Sequence, residues 1–156
     1  MVPNMDREKT VNSALTSEVA EISLDEYLQS FGDDLAAALD AAGRTLLINV
    51  DNIVVPLPLA QAIGRIVIDL VINGLKAAMG KGAGIVQIAC GMNRDGGLTL
   101  EITDEGADPN KALEPLRKAL GATLVPGLLS ELGTRMTIET ARKGLRCTIV
   151  MPTNAA

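Results

Sequence analysis

Three side chains able to bind a phosphate ligand recur at helical spacing in the middle of the chain. Asp69, Asn73 and Lys76 lie within an otherwise apolar stretch. Each residue of an α-helix advances by about 100°, so positions four and seven residues further along return to nearly the starting direction. The three side chains should therefore share one face. An acid, an amide and a base on an apolar helix are costly without partners, and a ligand carrying a divalent cation and phosphate groups would supply them.

Each of these residues also has a plain structural interpretation. Asn73 could be a core amide that the backbone satisfies, and Asp69 could form an ion pair with Arg65 four residues earlier. Lys76 could simply extend its ammonium group to solvent. The functional interpretation is favoured because a further acidic residue, Asp104, is expected to lie nearby.

Asp104 ends a predicted strand at 98–104. Three apolar residues alternate there with polar ones, a period of two that is typical of a strand with one buried and one wet face. Asp104 has the parity of the apolar residues, so its carboxylate should point toward the covered face. If the helix carrying Asp69 and Asn73 covers this sheet, both polar groups should meet in one nucleotide-sized hollow.

The elements that must position these residues follow from periodicity and from turn signals. Ser23 and Glu26 form a capping-box signature, and Gly43 suits a left-handed helix end. The predicted elements are a strand at 19–22, a helix from Ser23 to Gly43, a strand at 45–50, a helix at 59–79, a flexible link at 80–84, strands at 85–92 and 98–104, a short helical piece within 105–122, a short helix at 126–132, and a hairpin of strands 135–140 and 145–151. Helices followed by antiparallel hairpins predict a two-layer α/β sandwich, in which helices cover one face of a mixed, mostly antiparallel sheet. We expect one domain at 19–152, a linker or disordered segment at 1–18 and a tail at 153–156.

Composition argues against several classes of function. The formal net charge of −5 disfavours a nucleic-acid or anionic-membrane surface. Aromatic residues make up only 1%, so stacking platforms for single-stranded nucleic acid are nearly absent. The chain contains no histidine, so any reaction that requires one must take it from another polypeptide or segment.

The cysteines and the longest apolar run indicate a cytoplasmic domain. Cys90 and Cys147 lie in strand-like runs without a secretory signal, so we expect buried reduced thiols, and no His or Cys metal site is indicated. The apolar run includes Arg65, Asp69 and other polar residues, which would make membrane insertion expensive. We therefore expect no membrane insertion by this chain.

The motifs, in their order along the chain, resemble those of the Bergerat-fold (GHKL) ATPases, which include gyrase-type topoisomerases, heat-shock chaperones, mismatch-repair proteins and histidine kinases. The pattern from Asp69 through Asn73 to Lys76 is similar to the N-box of histidine kinases, and the segment from Asp104 to Gly106 is similar to the following Asp-x-Gly box. Residues 134–140 and 148–152 resemble the closing hairpin of a kinase catalytic domain, and residues 22–28 and 54–59 are most similar to the bacterial subgroup that includes the HWE-type enzymes. The resemblance covers about residues 19–152.

The resemblance implies a role for each motif residue. Asn73 would coordinate Mg²⁺ through its amide oxygen, and Lys76 would contact phosphate. Asp69, where the family usually has Glu, would orient water or the attacking group. Asp104 would accept a hydrogen bond from the adenine amino group. Two glycines complete the implied site: Gly106 would let the backbone pass close to the nucleotide, and Gly121 stands near the glycine-rich second box.

This sequence departs from the family pattern around the expected phosphate cradle. Asp108 occupies a position that is normally glycine, and the second box has only one glycine, so its backbone amides should form a poorer cradle. Pro126 interrupts the helix that usually follows. Ala77 replaces a common aromatic residue, and Leu145 replaces a Ser or Thr that often supports the aspartate. These changes weaken the case for tight nucleotide binding more than the case for the fold.

Three functions are compatible with these motifs. The leading hypothesis is the ATP-binding catalytic domain of a two-component sensor histidine kinase. It would bind Mg·ATP and deliver the γ-phosphate to a histidine on a separate dimerisation domain. A response regulator would be the second partner. The alternatives are a freestanding anti-sigma-factor-like serine kinase and a degenerate Bergerat domain that docks a signalling partner without binding ATP. The absent histidine leads us to expect either a fragment or a component acting in trans.

Overall fold

The computed structural model describes residues 20–78, 83–106, 108–141 and 144–151. The expected linker at 1–18 and tail at 153–156 lie outside these residues. In chain order the elements are β1 (Glu21–Ser23), α1 (Leu24–Gln29), α2 (Gly32–Asp40), β2 (Arg44–Val50), β3 (Val54–Pro56), α3 (Leu57–Ile68), a π-helical turn (Asp69–Leu75), α4 (Lys76–Ala78), β4 (Gly84–Met92), β5 (Leu98–Asp104), α5 (Pro109–Leu120), α6 (Val125–Glu131), β6 (Met136–Ala141) and β7 (Gly144–Met151).

The five longer strands form one mixed sheet in the order β2-β4-β5-β7-β6. β2 pairs parallel to β4, and all other neighbours are antiparallel. β1 and β3 form a separate antiparallel pair. Side chains on one face of β5 are buried and those on the other are partly exposed, as the alternation predicted. The predicted α/β architecture, with helices against one face of a mixed sheet, is confirmed.

The central helix, which we define as residues 57–78, supplies much of the apolar core. Its first segment, α3, begins directly after Pro56 and carries Pro58 in its first turn, where a missing N–H is tolerated. Its buried residues are Leu59, Ala60, Ile63, Gly64, Ile66, Val67, Leu70, Val71, Gly74 and Leu75. The span Leu57–Leu75 is long and apolar enough to cross a membrane by length and composition alone, but half of its most apolar stretch is buried within the protein.

The helix predicted between Ser23 and Gly43 is wrong in its continuity, because the structure divides it into α1 and α2. The Ser23 hydroxyl caps α1, accepting the Glu26 N–H at 3.2 Å, and Gly43 has the expected left-handed φ of +81°. The helices separate around Phe31, whose ring packs edge-on against Tyr27 with centroids 5.1 Å apart. The aromatic pair and the poor helix former Gly32 mark the break.

Other boundaries differ modestly from the sequence prediction. The helical piece expected within 105–122 is a twelve-residue helix, α5, which carries Pro115 in its interior and whose buried Ala112, Leu116 and Leu120 recur every four residues. The predicted link at 80–84 lies mostly outside the described residues, although Gly84 itself begins β4. α6 ends before Gly133, which adopts a left-handed φ of +67°.

Both cysteines are buried and free, as predicted. Burial raises the pKa of the Cys90 thiol from 9.0 to about 12, with a smaller contribution from Asp51, and burial raises the pKa of Cys147 from 9.0 to about 12. Since the reactive species is the thiolate, neither residue should be alkylated by iodoacetamide at pH 8 unless the domain opens. The protonated thiols favour the folded state fully below pH 9, and this contribution is lost as the pH rises toward 12.

Mass spectrometry after timed alkylation tests this expectation. Two labels should appear only slowly in native buffer and rapidly in guanidinium chloride, which serves as the control for reagent activity. Labelling at equal rates in both buffers would contradict the buried position of the thiols.

Candidate functional site

The motif residues lie where the central helix changes from α-helical to π-helical geometry. The π-helical turn covers Asp69–Leu75, and the N–H of Lys76 donates to the carbonyl of Val71, five residues earlier. Such a turn contains more residues than an α-helical turn, so a spacing of seven residues falls well short of two turns. The shared face predicted for three residues therefore holds for Asp69 and Asn73, while Lys76 is exposed and lies outside the hollow that those two line. π-helical turns are frequent at functional sites.

Asp69 and Asn73 line an open hollow between the central helix and the C-terminal end of α5. We call it the Asn73 hollow; its other lining residues are Arg65, Ala119, Ala122, Thr123 and Leu124. Its volume is ≈ 480 Å³, within the range of small-molecule sites. The Thr123 hydroxyl holds the wall opposite the central helix. It donates to the Leu120 carbonyl at 2.7 Å and accepts the Val125 N–H at 3.1 Å. Gly121 is exposed at the end of α5 and does not line the hollow.

The carboxylate of Asp69 is incompletely satisfied. Its Oδ1 accepts a hydrogen bond from Asn73 Nδ2 at 3.2 Å. Its Oδ2 is buried and has no partner among the described residues, and burying a charged acceptor without a partner is costly. The ion pair with Arg65 that the spacing also allowed does not form between these two described residues, although both line the hollow.

The oxygen donors at the Asn73 hollow fit a magnesium ion. The hydrogen bond to Asp69 uses the Asn73 amide nitrogen and leaves the amide oxygen available as a ligand, beside the unpartnered carboxylate oxygen of Asp69. Mg²⁺ prefers such hard oxygen ligands and is usually held by one or two protein groups together with phosphates and water. Among the described residues no group of three or more His, Cys, Asp or Glu side chains could hold a metal.

Asp104 points toward the covered face, as predicted, but it is not in the Asn73 hollow. Its carboxylate forms a buried ion pair with Arg44: Nε donates to Oδ1 at 2.8 Å and Nη2 donates to Oδ2 at 3.5 Å. The N–H of Gly106 donates to the same Oδ1 at 3.0 Å. The side chains of Arg44 and Asp104 are 0% and 1% exposed. The predicted meeting of the two polar sites in one hollow is therefore not observed.

Two glycines leave room for the Arg44 side chain to reach Asp104 across the intervening strand, β4. Arg44 on β2 lies opposite Gly84 on β4. A Cβ at Gly84 would lie 2.6 Å from the Gly106 Cα, and a Cβ at Gly106 would lie 2.7 Å from the Arg44 Cζ. The absence of both side chains leaves room for the guanidinium beside this part of the backbone. Sequence reasoning missed Arg44 because it began the strand at Thr45; the signal was its parity with Leu46 and Ile48 on the covered face.

α5 packs against the π-helical turn. A Cβ at Gly74 would lie 3.0 Å from Leu120 Cδ2 and 3.3 Å from Leu116 Cδ1, so the leucines lie directly on this glycine. The Asp108 side chain caps α5, accepting the Asn110 N–H at 3.0 Å. The aspartate that replaces a glycine of the family pattern thus has a structural role in starting this helix.

Comparisons with known proteins place this fold among histidine kinase domains. No family model matches the sequence, and no curated protein matches it. The histidine kinase domain of the blue-light activated histidine kinase EL346 from Erythrobacter litoralis superposes with a TM-score of 0.66 at 21% identity, covering 85% of this chain and 62% of that one. The catalytic domain of histidine kinase ThkA gives a TM-score of 0.60 at 16% identity, covering 86% and 95% of the two chains. The mycobacterial sensor histidine kinase MprB gives 0.60 at 16%, covering 85% and 97%.

These similarities confirm the resemblance found in the sequence at the level of the fold. The chain has the α/β fold of the histidine kinase catalytic domains to which it is similar. It spans less than two thirds of the EL346 kinase domain with which it superposes.

Proposed function

We propose that this chain is the ATP-binding catalytic domain of a cytoplasmic two-component histidine kinase, which delivers the γ-phosphate of Mg·ATP to a histidine on a separate dimerisation domain. The single observation that supports this most is the unpartnered, buried Oδ2 of Asp69 beside the Asn73 amide in a ligand-sized hollow. The acceptor histidine must come from another segment, because this chain contains none. A response regulator would then take the phosphoryl group from that histidine.

The residues of the Asn73 hollow would share the work of positioning and charge neutralisation. Asn73 would hold the metal ion through its amide oxygen, and Asp69 would orient the attacking group or a water molecule. Bound Mg²⁺ would neutralise phosphate charge as the phosphoryl group transfers. Arg65 is the cation that lines this hollow and is the better-placed phosphate contact; Lys76 would reach phosphate only by extending back from the exposed surface. Asp104 and Gly106 would form the adenine side, and Gly121 would border the phosphate side.

Asn73→Ala should weaken binding of a non-hydrolysable ATP analogue at least about tenfold in the presence of Mg²⁺. Loss of a hydrogen bond or ligand to a charged group costs about 1.5–3 kcal/mol, and 1.4 kcal/mol corresponds to a factor of ten. Isothermal titration calorimetry with and without Mg²⁺ measures the effect. Asn49→Ala, on the exposed face of β2, is the matched control and should leave the affinity unchanged. Equal affinities for the wild type and Asn73→Ala would contradict the assignment of the metal site.

A second candidate function, a domain that docks a signalling partner without binding ATP, is favoured by one observation. The carboxylate expected to recognise adenine is already paired with Arg44 inside the protein. No heat with millimolar nucleotide, either for the wild type or for variants at Arg44, would favour this candidate over the kinase.

A further inference from the structure

We propose that Arg44 controls access of the adenine base to this domain, because its guanidinium occupies the position on Asp104 that the adenine amino group would take. This inference rests on the proposed function above. Arg44 lies outside the sequence motifs, and its movement away from Asp104 is a conformational step that must precede nucleotide binding.

The base and Arg44 would compete for one place, because the guanidinium lies against Asp104 and fills the space over Gly106. Oδ1 already accepts from Arg44 Nε at 2.8 Å and from the Gly106 N–H at 3.0 Å, and Oδ2 faces Arg44 Nη2 at 3.5 Å. A guanidinium presents planar N–H donors to a carboxylate, as the amino edge of adenine would. It also covers Gly106, the residue whose missing side chain would otherwise leave room for a ring.

The surroundings of Arg44 offer a second place for its side chain. Arg44 is the first residue of β2, an edge strand, and follows the turn at Gly43. It lines an open hollow of ≈ 400 Å³ together with Asp40, Ala36, Ala37, Thr45 and Leu46. Asp40 is an exposed carboxylate at the end of α2. Withdrawn into this hollow, the guanidinium would exchange its buried partner Asp104 for the exposed Asp40 and release the carboxylate for a base.

This exchange sets the apparent affinity for nucleotide. When only a fraction of molecules is open, the apparent dissociation constant is the intrinsic value divided by that fraction. The described state has the pair closed and buried, and we expect that this state predominates and that the wild type binds weakly. Removing the guanidinium removes this conformational requirement.

Titration of the folded chain with Mg²⁺ and a non-hydrolysable ATP analogue tests the proposal. Arg44→Ala and Arg44→Gln should bind at least about tenfold more tightly than the wild type. Loss of a positive charge by itself would weaken binding of an anionic nucleotide, so the expected change opposes the general charge effect. Arg94→Ala, which removes an exposed arginine from the β4–β5 turn, is the matched control and should bind no more tightly than the wild type. Circular dichroism at the titration temperature verifies that each variant is folded.

Asp40→Asn provides a test that leaves the buried pair intact. It should weaken nucleotide binding, because the open position of Arg44 loses its partner, although removal of a negative charge would otherwise favour an anion. If the wild type binds the nucleotide and both Arg44 variants bind it equally or more weakly than the wild type, the role of Arg44 is overturned. The proposed function would then still stand. Unchanged affinity of Asp40→Asn would overturn the role of Asp40 as the second partner. Absence of binding in the wild type and in folded Arg44 variants alike would overturn both the proposed function and this inference.

Discussion

Replacing Arg44 with alanine should lower the free energy of unfolding by about 3–5 kcal/mol. The substitution leaves the Asp104 carboxylate buried without its charge partner, and removing one partner of a buried ion pair has a cost of this size. In the wild type both side chains are fully enclosed, so the substitution removes the charge partner at a buried position. Urea denaturation of the wild type and the variant at pH 7, followed by circular dichroism, measures the difference.

Two comparisons separate the loss of a buried partner from the loss of an arginine as such. Arg117→Ala breaks an exposed pair with Glu114 at 3.4 Å, whose side chains are 53% and 82% exposed, and should cost no more than about 1 kcal/mol. The double variant Arg44→Leu/Asp104→Leu removes both charges and should be much closer to the wild type than Arg44→Ala alone. A loss for Arg44→Ala no larger than that of the Arg117 control would contradict a buried, dry ion pair.

Substituting Gly84 with alanine should destabilise the domain by about 3 kcal/mol, at the upper end of the range for overpacking. The added Cβ would lie 2.6 Å from the Gly106 Cα and 3.4 Å from Arg44 Cδ. The first of these contacts is with backbone, so relief requires the start of β4 and the turn after β5 to separate locally. The measurement is again the midpoint and slope of urea unfolding.

Gly91 offers a matched control on the same strand. Its added Cβ would lie 2.6 Å from Asp51 Oδ2, but Asp51 is exposed and its side chain can rotate away. Gly91→Ala should therefore cost less than about 1 kcal/mol, since the added methyl group meets only the end of a side chain that can move and strains no backbone. Equal losses at the two positions would show that the close approach of Gly84 to Gly106 does not constrain the sheet.

The hairpin between β4 and β5 shows what could be predicted from local sequence. Gly96 supplies the left-handed φ of +81° that the turn requires, and the Asn93 side chain accepts the N–H groups of Asp95 and Gly97 at 3.0 Å each. These interactions join residues within one five-residue stretch, 93–97. The alternation in β5 likewise placed Asp104 on the covered face.

The two features that were not predicted depend on information that a local pattern lacks. The Arg44–Asp104 pair joins residues 60 positions apart, and its formation requires the register of three strands and two glycines in the right places. The π-helical turn is hidden for a different reason: the central helix is apolar nearly all round, so its periodicity does not reveal where the winding changes. The prediction from the N-box spacing assumed α-helical winding. Asn73 does share a face with Asp69, but Lys76 does not, because the π-helical turn changes the angle between them.

A crystal structure of the chain with Mg²⁺ and a non-hydrolysable ATP analogue is the most direct test of how Arg44, Asp104 and the nucleotide are related. We expect an adenine amino group within hydrogen-bond distance of Asp104, the guanidinium of Arg44 withdrawn toward Asp40, and the metal ion beside Asn73. A bound nucleotide whose adenine lies elsewhere, with the Arg44–Asp104 pair still intact, would contradict it.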